Sequence, residues 1–333
     1  MSERPAVDPG EFDELAARYR TELLAHCYRL LGSAEDAEDA VQETLLRAFR
    51  FRGGWEGRSS MRTWLYKIAT NVSLDARGAA ARRPLPSDLS APTGTDRLGD
   101  EEAGTRWIEP MPDRLLDDVR ADPASQAAAR SGMRLAFVAA LQHLSAVQRA
   151  VLVLRDVLMF PAAEVAQILD LTVPSVNNHL QRARRRLSEA APAAERIREP
   201  EKRSELEWVE SYARAFVSSD VDGLVSLLHE DVALEMPPNP AWFRGRGDVG
   251  AFLGARIRER RWRAVPTAAN TQSAVAFYAL DETGAWRPES LHVLDGASAA
   301  VSGVVVFRDR RTLMGFDLPD PLPPELHGQE VAM

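Results

Sequence analysis

The spacing of apolar residues changes character twice along this 333-residue chain, and that change limits the fold more than any single motif does. From Glu11 to about Arg83 they recur at helical intervals, as in Phe12, Leu15, Tyr19 and Leu23 and then Val41, Leu45, Ala48 and Phe49. From Pro84 to about Ala128 the pattern dissolves into Pro, Gly, Ser, Thr and acids. Ten Asp or Glu stand against four Arg between Asp88 and Asp122, which reads as a mobile acidic linker. Helical spacing returns from Arg130 to about Ala190, led by Leu135, Val138, Leu141 and Leu144, and a charged hinge follows to Arg203.

After Ser204 the grammar changes. Helices are expected at Leu206 to Val217 and Val221 to Leu228, followed by β-forming stretches at Val232 to Met236, Val275 to Leu280, Ser290 to Leu294, Ala299 to Phe307 and Thr312 to Phe316. Asp281-Glu282-Thr283-Gly284 and Asp295-Gly296 read as hairpin turns. The fold class is therefore multidomain: two all-α modules, then an α+β domain with a curved antiparallel sheet. The expected boundaries are 11–83 and 130–190 for the helical modules, 84–129 for the linker, 191–203 for the hinge, 204–320 for the α+β domain and 321–333 for a tail.

Composition excludes several classes. No apolar run approaches the roughly 20 residues of a membrane span, and Met1 to Gly10 lacks a basic start with an apolar stretch, so a cytoplasmic protein is expected. Cys27 has no partner for a disulfide or for zinc and reads as a core thiol. No cofactor or metal site is indicated. The net charge of −8 argues against a nucleic-acid binder until its distribution is read. Basic residues cluster at Arg77, Arg82 and Arg83 and again at Arg182, Arg184, Arg185 and Arg186, away from the acidic stretch.

Two helical segments carry chemistry. In Ser60 to Val72, Met61, Trp64, Leu65, Ile68, Ala69 and Val72 fall on one face. The other face offers Arg62, Thr63, Tyr66, Lys67, Thr70 and Asn71, which suit phosphates and unpaired bases. The second segment, Ala163 to Leu187, has the layout of a helix-turn-helix, broken at Asp170-Leu171-Thr172. Thr172 suits a cap and Pro174 a first turn. With Val176, Leu180, Ala183 and Leu187 inward, Ser175, Asn177, Asn178, Gln181, Arg182, Arg185 and Arg186 are left to read base edges in a major groove and hold the backbone.

Asp36 to Phe49, Ser59 to Asn71 and Val173 to Arg184, in that order, resemble the extracytoplasmic function sigma factors of the sigma-70 family, over about residues 11 to 190. The resemblance implies a region 2 module, a linker and a region 4 module without region 3. Its expected partners are core RNA polymerase and promoter DNA. It places core-polymerase docking on Asp36, Glu38, Asp39, Gln42, Glu43 and Leu46, and minus-10 capture on Arg58, Ser59, Ser60, Arg62, Tyr66, Lys67, Thr70 and Asn71. The recognition helix would read the minus-35 element, and the acidic linker would run through the polymerase cleft. Asp170 stands where the family usually carries glycine; Asp tolerates the left-handed conformation better than most residues.

Residues 204 to about 320 resemble the SnoaL-like, NTF2-fold domain, a cone around an apolar pocket, with Asp231 to Gly245 as the matching stretch. Met236, Pro238 and Trp242 are candidates for a pocket rim or for packing between domains. Among His229, Asp231, Glu235, His292 and Asp317 no spacing forms an acid-base pair, so catalysis is not expected. The resemblance implies control in cis, by contacts within the chain that make a separate anti-sigma partner unnecessary. A ligand-sensing helix-turn-helix regulator and a pocket enzyme on a DNA tether are the rival readings. Neither needs the acidic helix and the Trp64 helix that residues 36 to 71 provide.

Overall fold

A computed structural model describes residues 9–52, 60–78, 82–93, 104–117, 123–190, 202–297 and 300–326. The chain divides into two compact units, Met1–Arg83 with Asp113–Glu195, and Pro84–Pro112 with Arg196–Met333.

The first unit is helical: α1 (Pro9–Leu31), α2 (Ala34–Phe51), α3 (Met61–Gly78), α4 (Pro123–Arg130), α5 (Leu135–Leu141), α6 (Ala146–Leu152), α7 (Ala162–Leu169) and α8 (Val173–Ala190). Side chains set several of its starts. Ser33 caps α2 by accepting from the Asp36 amide, and Ser145 and Gln148 form a reciprocal capping box on α6. Leu24, Cys27, Tyr28, Val41, Leu65 and Ala69 are buried within the first three helices, and Val151, Leu154, Val165, Ile168 and Val176 farther on. The Cys27 thiol is pushed up to about 12 by its burial, as befits an inert core group.

Two arginines lie wholly inside this unit. Arg149, on α6, donates to the carbonyls of Leu141 (2.7 Å), Leu144 (3.4 Å) and Leu30, and to the Gln142 amide oxygen (2.7 Å). Leu30 and Leu141 lie in the last turns of α1 and α5, so the guanidinium sits against the carbonyls at two helix ends and the negative ends of their dipoles. Arg29 does the same at the end of α4, donating to Ala128 and Ala129 (both 2.8 Å) and to Ser131. Desolvation lowers Arg29 only to about 10, so it stays charged near neutrality.

The second unit holds α9 (Lys202–Val217), α10 (Val221–Ser226), α11 (Arg246–Glu259) and α12 (Arg310–Met314). Its strands are β1 (Leu228–Glu235), β2 (Trp242–Arg244), β3 (Trp262–Ala269), β4 (Gln272–Leu280), β5 (Trp286–Ala297) and β6 (Ala300–Phe307). They form one sheet in the order β2-β1-β6-β5-β4-β3. Tyr212, Phe216, Phe252, Phe277 and Val304 belong to the core between helices and sheet.

Three expectations need correction here. The sheet is mixed, because β1 pairs parallel with β6. Asp295-Gly296 is an irregularity inside β5 and not a turn; there Trp208 lies where any Cβ on Gly296 would have to go. Thr312 to Phe316 is no strand, since Asp309 caps a helix there by accepting from the Thr312 amide at 2.8 Å. The short β2 and the whole of β3 were not expected from the sequence.

The expected mobile linker also resolves differently. Its described residues from 113 onward join the first unit, with Leu116 buried and α4 in place. Residues 84–93 and 104–112 instead form a strap across the second unit. The Ser87 amide donates to the Glu235 carboxylate at 2.9 Å, and the Trp242 indole donates to the Ser90 carbonyl at 2.9 Å. The Thr93 amide donates to the Trp242 carbonyl at 2.7 Å. Farther along, Met111 and Asn270 exchange two bonds, and Pro112 bridges Ala269. Burial raises the Glu235 carboxyl to about 7, against the lowering effect of its bonds to Ser87.

Two predictions follow from these buried polar groups. Replacing Arg149 by Leu takes a donor from three backbone carbonyls and from the Gln142 amide and should lower stability by about 3 kcal/mol in urea unfolding, whereas Arg182→Leu on the exposed face of α8 should change it by less than about 0.5 kcal/mol. Glu235 binds its proton more tightly folded than unfolded, so its contribution weakens as pH rises from 4.5 through 7. From pH 5 to 8 the wild-type chain should lose roughly 2 to 3 kcal/mol relative to Glu235→Gln, read from unfolding curves across that range.

Candidate nucleic-acid interface

The helix-turn-helix forms from the expected residues. α7 ends at Asp170, whose φ of 53° and ψ of 43° place it in the left-handed region. The chain then turns into α8, where the Ser175 amide donates to Thr172 Oγ1 at 3.3 Å. Val176, Leu180 and Ala183 are buried, and Leu187 is half-buried. Asn177, Asn178, Gln181, Arg182, Arg185 and Arg186 are exposed along one side, with Ser175 half-buried at its start. Arg184 is held apart from this set by a two-pronged bond to Asp156, at 2.7 and 2.8 Å. The exposed amides and guanidiniums supply the donors that pair with purine edges and phosphates.

On α2 the outer face is part acidic and part apolar. Asp39 and Gln42 are exposed, and Glu38 and Glu43 half-buried. Asp36 pairs with Arg83 at 2.6 Å and Glu43 with Arg47 at 2.6 Å. Leu46 is 52% exposed. Phe49 and Phe51, at 40% and 65%, extend this apolar end. The helical periodicity assigned Phe49 to the core; its place on the same outer face as Gln42 and Leu46 was the missed signal.

The α3 face differs most from expectation. Tyr66 and Thr70, expected to point outward, have no exposed surface. The Tyr66 hydroxyl donates to the Glu22 carboxylate at 3.2 Å, Arg62 donates to the same carboxylate at 3.1 Å, and Thr70 Oγ1 lies 2.9 Å from His26 Nε2. Burial, followed by the nearby Glu22 charge, raises the Tyr66 phenol well above its ordinary value. Burial, assisted by Arg29 and Arg62, lowers His26 to about 3, so it is neutral.

Helix α7 covers the rest of that face. Thr63 Oγ1 donates to Glu164 at 2.6 Å, and Lys67 donates to the Gln167 carbonyl at 3.1 Å and to Asp170 at 2.6 Å. The Arg62 guanidinium lies 4.4 Å from the Phe160 ring centre, and Tyr66 meets the same ring edge-on at 5.0 Å. Helix α3 is thus packed on two sides, which a one-sided periodicity does not reveal. Ser60 is exposed and Asn71 half-buried, while Arg58 and Ser59 lie outside the described residues.

In the second unit, Met236 and Pro238 line a surface hollow, whereas Trp242 holds the strap. The acid-base candidates are not drawn together. Glu235 accepts from Ser87, the His229 ring accepts from the Asp231 amide, and His292 lies between Tyr212 and Ser290.

Comparison with known proteins agrees with this architecture. The Sigma-70 region 2 family matches residues 15–83, the Sigma-70 region 4 family residues 134–187 and the SnoaL-like domain family residues 209–311. The chain is 43% identical over 319 residues to the ECF RNA polymerase sigma factor SigG of Mycobacterium tuberculosis (strain ATCC 25618 / H37Rv), covering 94% of this chain and 85% of that protein. It is 30% identical over 231 residues to SigJ of the same strain, covering 68% and 64%. The crystal structure of Mycobacterium tuberculosis SigJ matches with a TM-score of 0.62 at 21% identity, covering 92% of this chain and 99% of that one, and shows the shared fold. The ordered region 2 and region 4 modules, the exposed recognition helix and the extent of the match to SigG establish that this chain belongs to the ECF RNA polymerase sigma factors.

Proposed function

We propose that this sigma factor docks on core RNA polymerase through the outer face of α2, reads the minus-35 element with α8 and engages the minus-10 element through α3 and the loop before it. The observation that carries this reading is the clear face of α8, where Asn177, Asn178, Gln181, Arg182, Arg185 and Arg186 stand exposed behind a defined turn. Asp39, Gln42, Leu46 and Phe49 supply an acidic and apolar strip on α2, suited to a basic partner with an apolar seam.

The minus-10 role of α3 requires a change of state. With Thr63 and Lys67 bonded to α7 and Tyr66 buried, strand capture needs α7 to leave. The Lys67–Asp170 ion pair is exposed and contributes only about 0 to 1 kcal/mol, so the bond of buried Thr63 and the Tyr66 contact with Phe160 just before α7 are the main ties to be broken. Binding to a larger partner can offset them.

Control in cis is the role proposed for the second unit. Its support is the strap, because residues 84–93 and 104–112 lie in sequence between α3 and the region 4 helices and are tied down at Glu235, Trp242 and Asn270. A segment so held is not available for the polymerase cleft. This unit thereby takes the restraining part that a separate anti-sigma protein would otherwise play, and it acts by binding and not by catalysis.

Transcription in vitro from the promoter of the protein's own gene, with bacterial core polymerase, tests the assignment. Both the full chain and a truncation after Arg203 should initiate, the truncation and Trp242→Ala more strongly. Arg182→Ala should weaken holoenzyme binding to that promoter by roughly tenfold, the effect of one good base contact. If no form initiates or binds core polymerase, the ligand-sensing regulator becomes the better account.

A further inference from the structure

Two adjoining hollows open on the second unit, one of about 400 Å³ and one of about 130 Å³. Met236, Glu289 and Arg308 line both. The smaller is walled by Phe216, Phe252 and Trp262 and has Ser290 and His292 on its polar side. Together they offer what small-molecule sites offer, an apolar wall with a few placed polar groups.

The polar side has a direction. Tyr212 Oη lies 2.9 Å from His292 Nδ1, and His292 Nε2 lies 3.1 Å from Ser290 Oγ. Burial, aided by Arg308, lowers His292 to about 3, so the ring is neutral, with one donor and one acceptor nitrogen. If Nδ1 carried the proton, the buried Tyr212 hydroxyl would have no acceptor for its own. The chain therefore runs from Tyr212 to Nδ1 and from Nε2–H to Ser290, whose remaining proton is offered to the hollow.

The mouth carries positive charge. Glu259 is matched by Arg256, whereas Asp320 shares Arg287 with Asp281, a trio with one excess negative charge. Glu289 is shared between Arg260 (3.4 Å) and Arg308 (2.6 Å), which leaves that trio with one excess positive charge. Arg310 lines the larger hollow with no acidic partner among the described residues. An uncommitted guanidinium in a concave wall favours an anion, and its planar fork suits a carboxylate.

The geometry points to a binding site for a small amphipathic carboxylate. Its apolar body lies among Phe216, Phe252 and Trp262, a neutral oxygen accepts from Ser290, and the carboxylate meets Arg310. The site stands on the geometry of the second unit and does not depend on the control proposed for the strap. Its position bears on that control, because Met236 to Asn239 form one wall and lie between Glu235 and Trp242, which hold the strap.

Calorimetric titration of the full chain with 6-hydroxy-2-naphthoate, its uncharged carboxamide and 3-oxodecanoate tests the site. At least one of the two acids should bind, and the naphthoate should bind about tenfold more tightly than its carboxamide if it is the one that fits. Arg310→Glu, an exposed change that leaves the core intact, should remove most binding of the acid, and Ser290→Ala should weaken it several-fold. Absence of millimolar or tighter binding by both acids, or acid binding unchanged by Arg310→Glu, overturns the proposal.

Discussion

The first unit depends on two guanidiniums that are wholly buried. Taking a charged group into a protein interior is expensive unless its donors are met. Arg149, and Arg29 through its Nε and Nη2, are met mainly by backbone carbonyls at helix ends and not by carboxylates, while Arg29 Nη1 has no hydrogen-bond partner among the described residues. Helix C-termini present unpaired acceptors and partial negative charge, so each arginine satisfies groups that would otherwise need solvent. Through the Leu30 carbonyl, Arg149 ties α1 of region 2 to the helices of region 4. Through the carbonyls after α4, Arg29 ties the same helix to the segment that leads into region 4.

That tie sets the stage for the covered face of α3. Helices α1 and α2 pack on one side of α3 and α7 on the other, so the polar tips of Thr63, Arg62 and Lys67 find partners inside the unit. The same residues are the ones the family resemblance assigns to the minus-10 element. With the proposed DNA contact on that surface, the closed state excludes DNA until the internal partner leaves, and the equilibrium between the states would set the basal activity. The recognition helix is treated differently, since its donors stand clear of α7.

The sequence revealed most where local rules decide. The turn at Asp170, the Thr172 cap, the inward Val176, Leu180 and Ala183 and the outward amides of α8 all follow from spacing and capping. It misled where long-range partners decide. Tyr66 and Thr70 look like surface donors until Glu22 and His26, more than forty positions earlier, are placed beside them. The strap looked mobile because proline, glycine and acid dominate it, yet its order comes from Glu235, Trp242 and Asn270, over a hundred residues away. Strand β3 escaped notice because Arg263 and Pro266 interrupt its pattern, although it pairs along its whole length with β4. The parallel contact of β1 with β6 is likewise a product of topology, which no local signal encodes.

On the proposed reading, α7 leaves α3 before this sigma factor engages the minus-10 element. Thr63→Cys and Glu164→Cys, at positions that meet through the Glu164 carboxylate in the closed unit, can be joined by a short thiol-reactive cross-linker that reduction releases, with Cys27 buried and inert. The cross-linked pair should bind core polymerase weakly and fail to initiate, and reduction should restore transcription to the level of the unlinked protein. A fully cross-linked chain that initiates as well as its reduced form would show that α7 can stay in place.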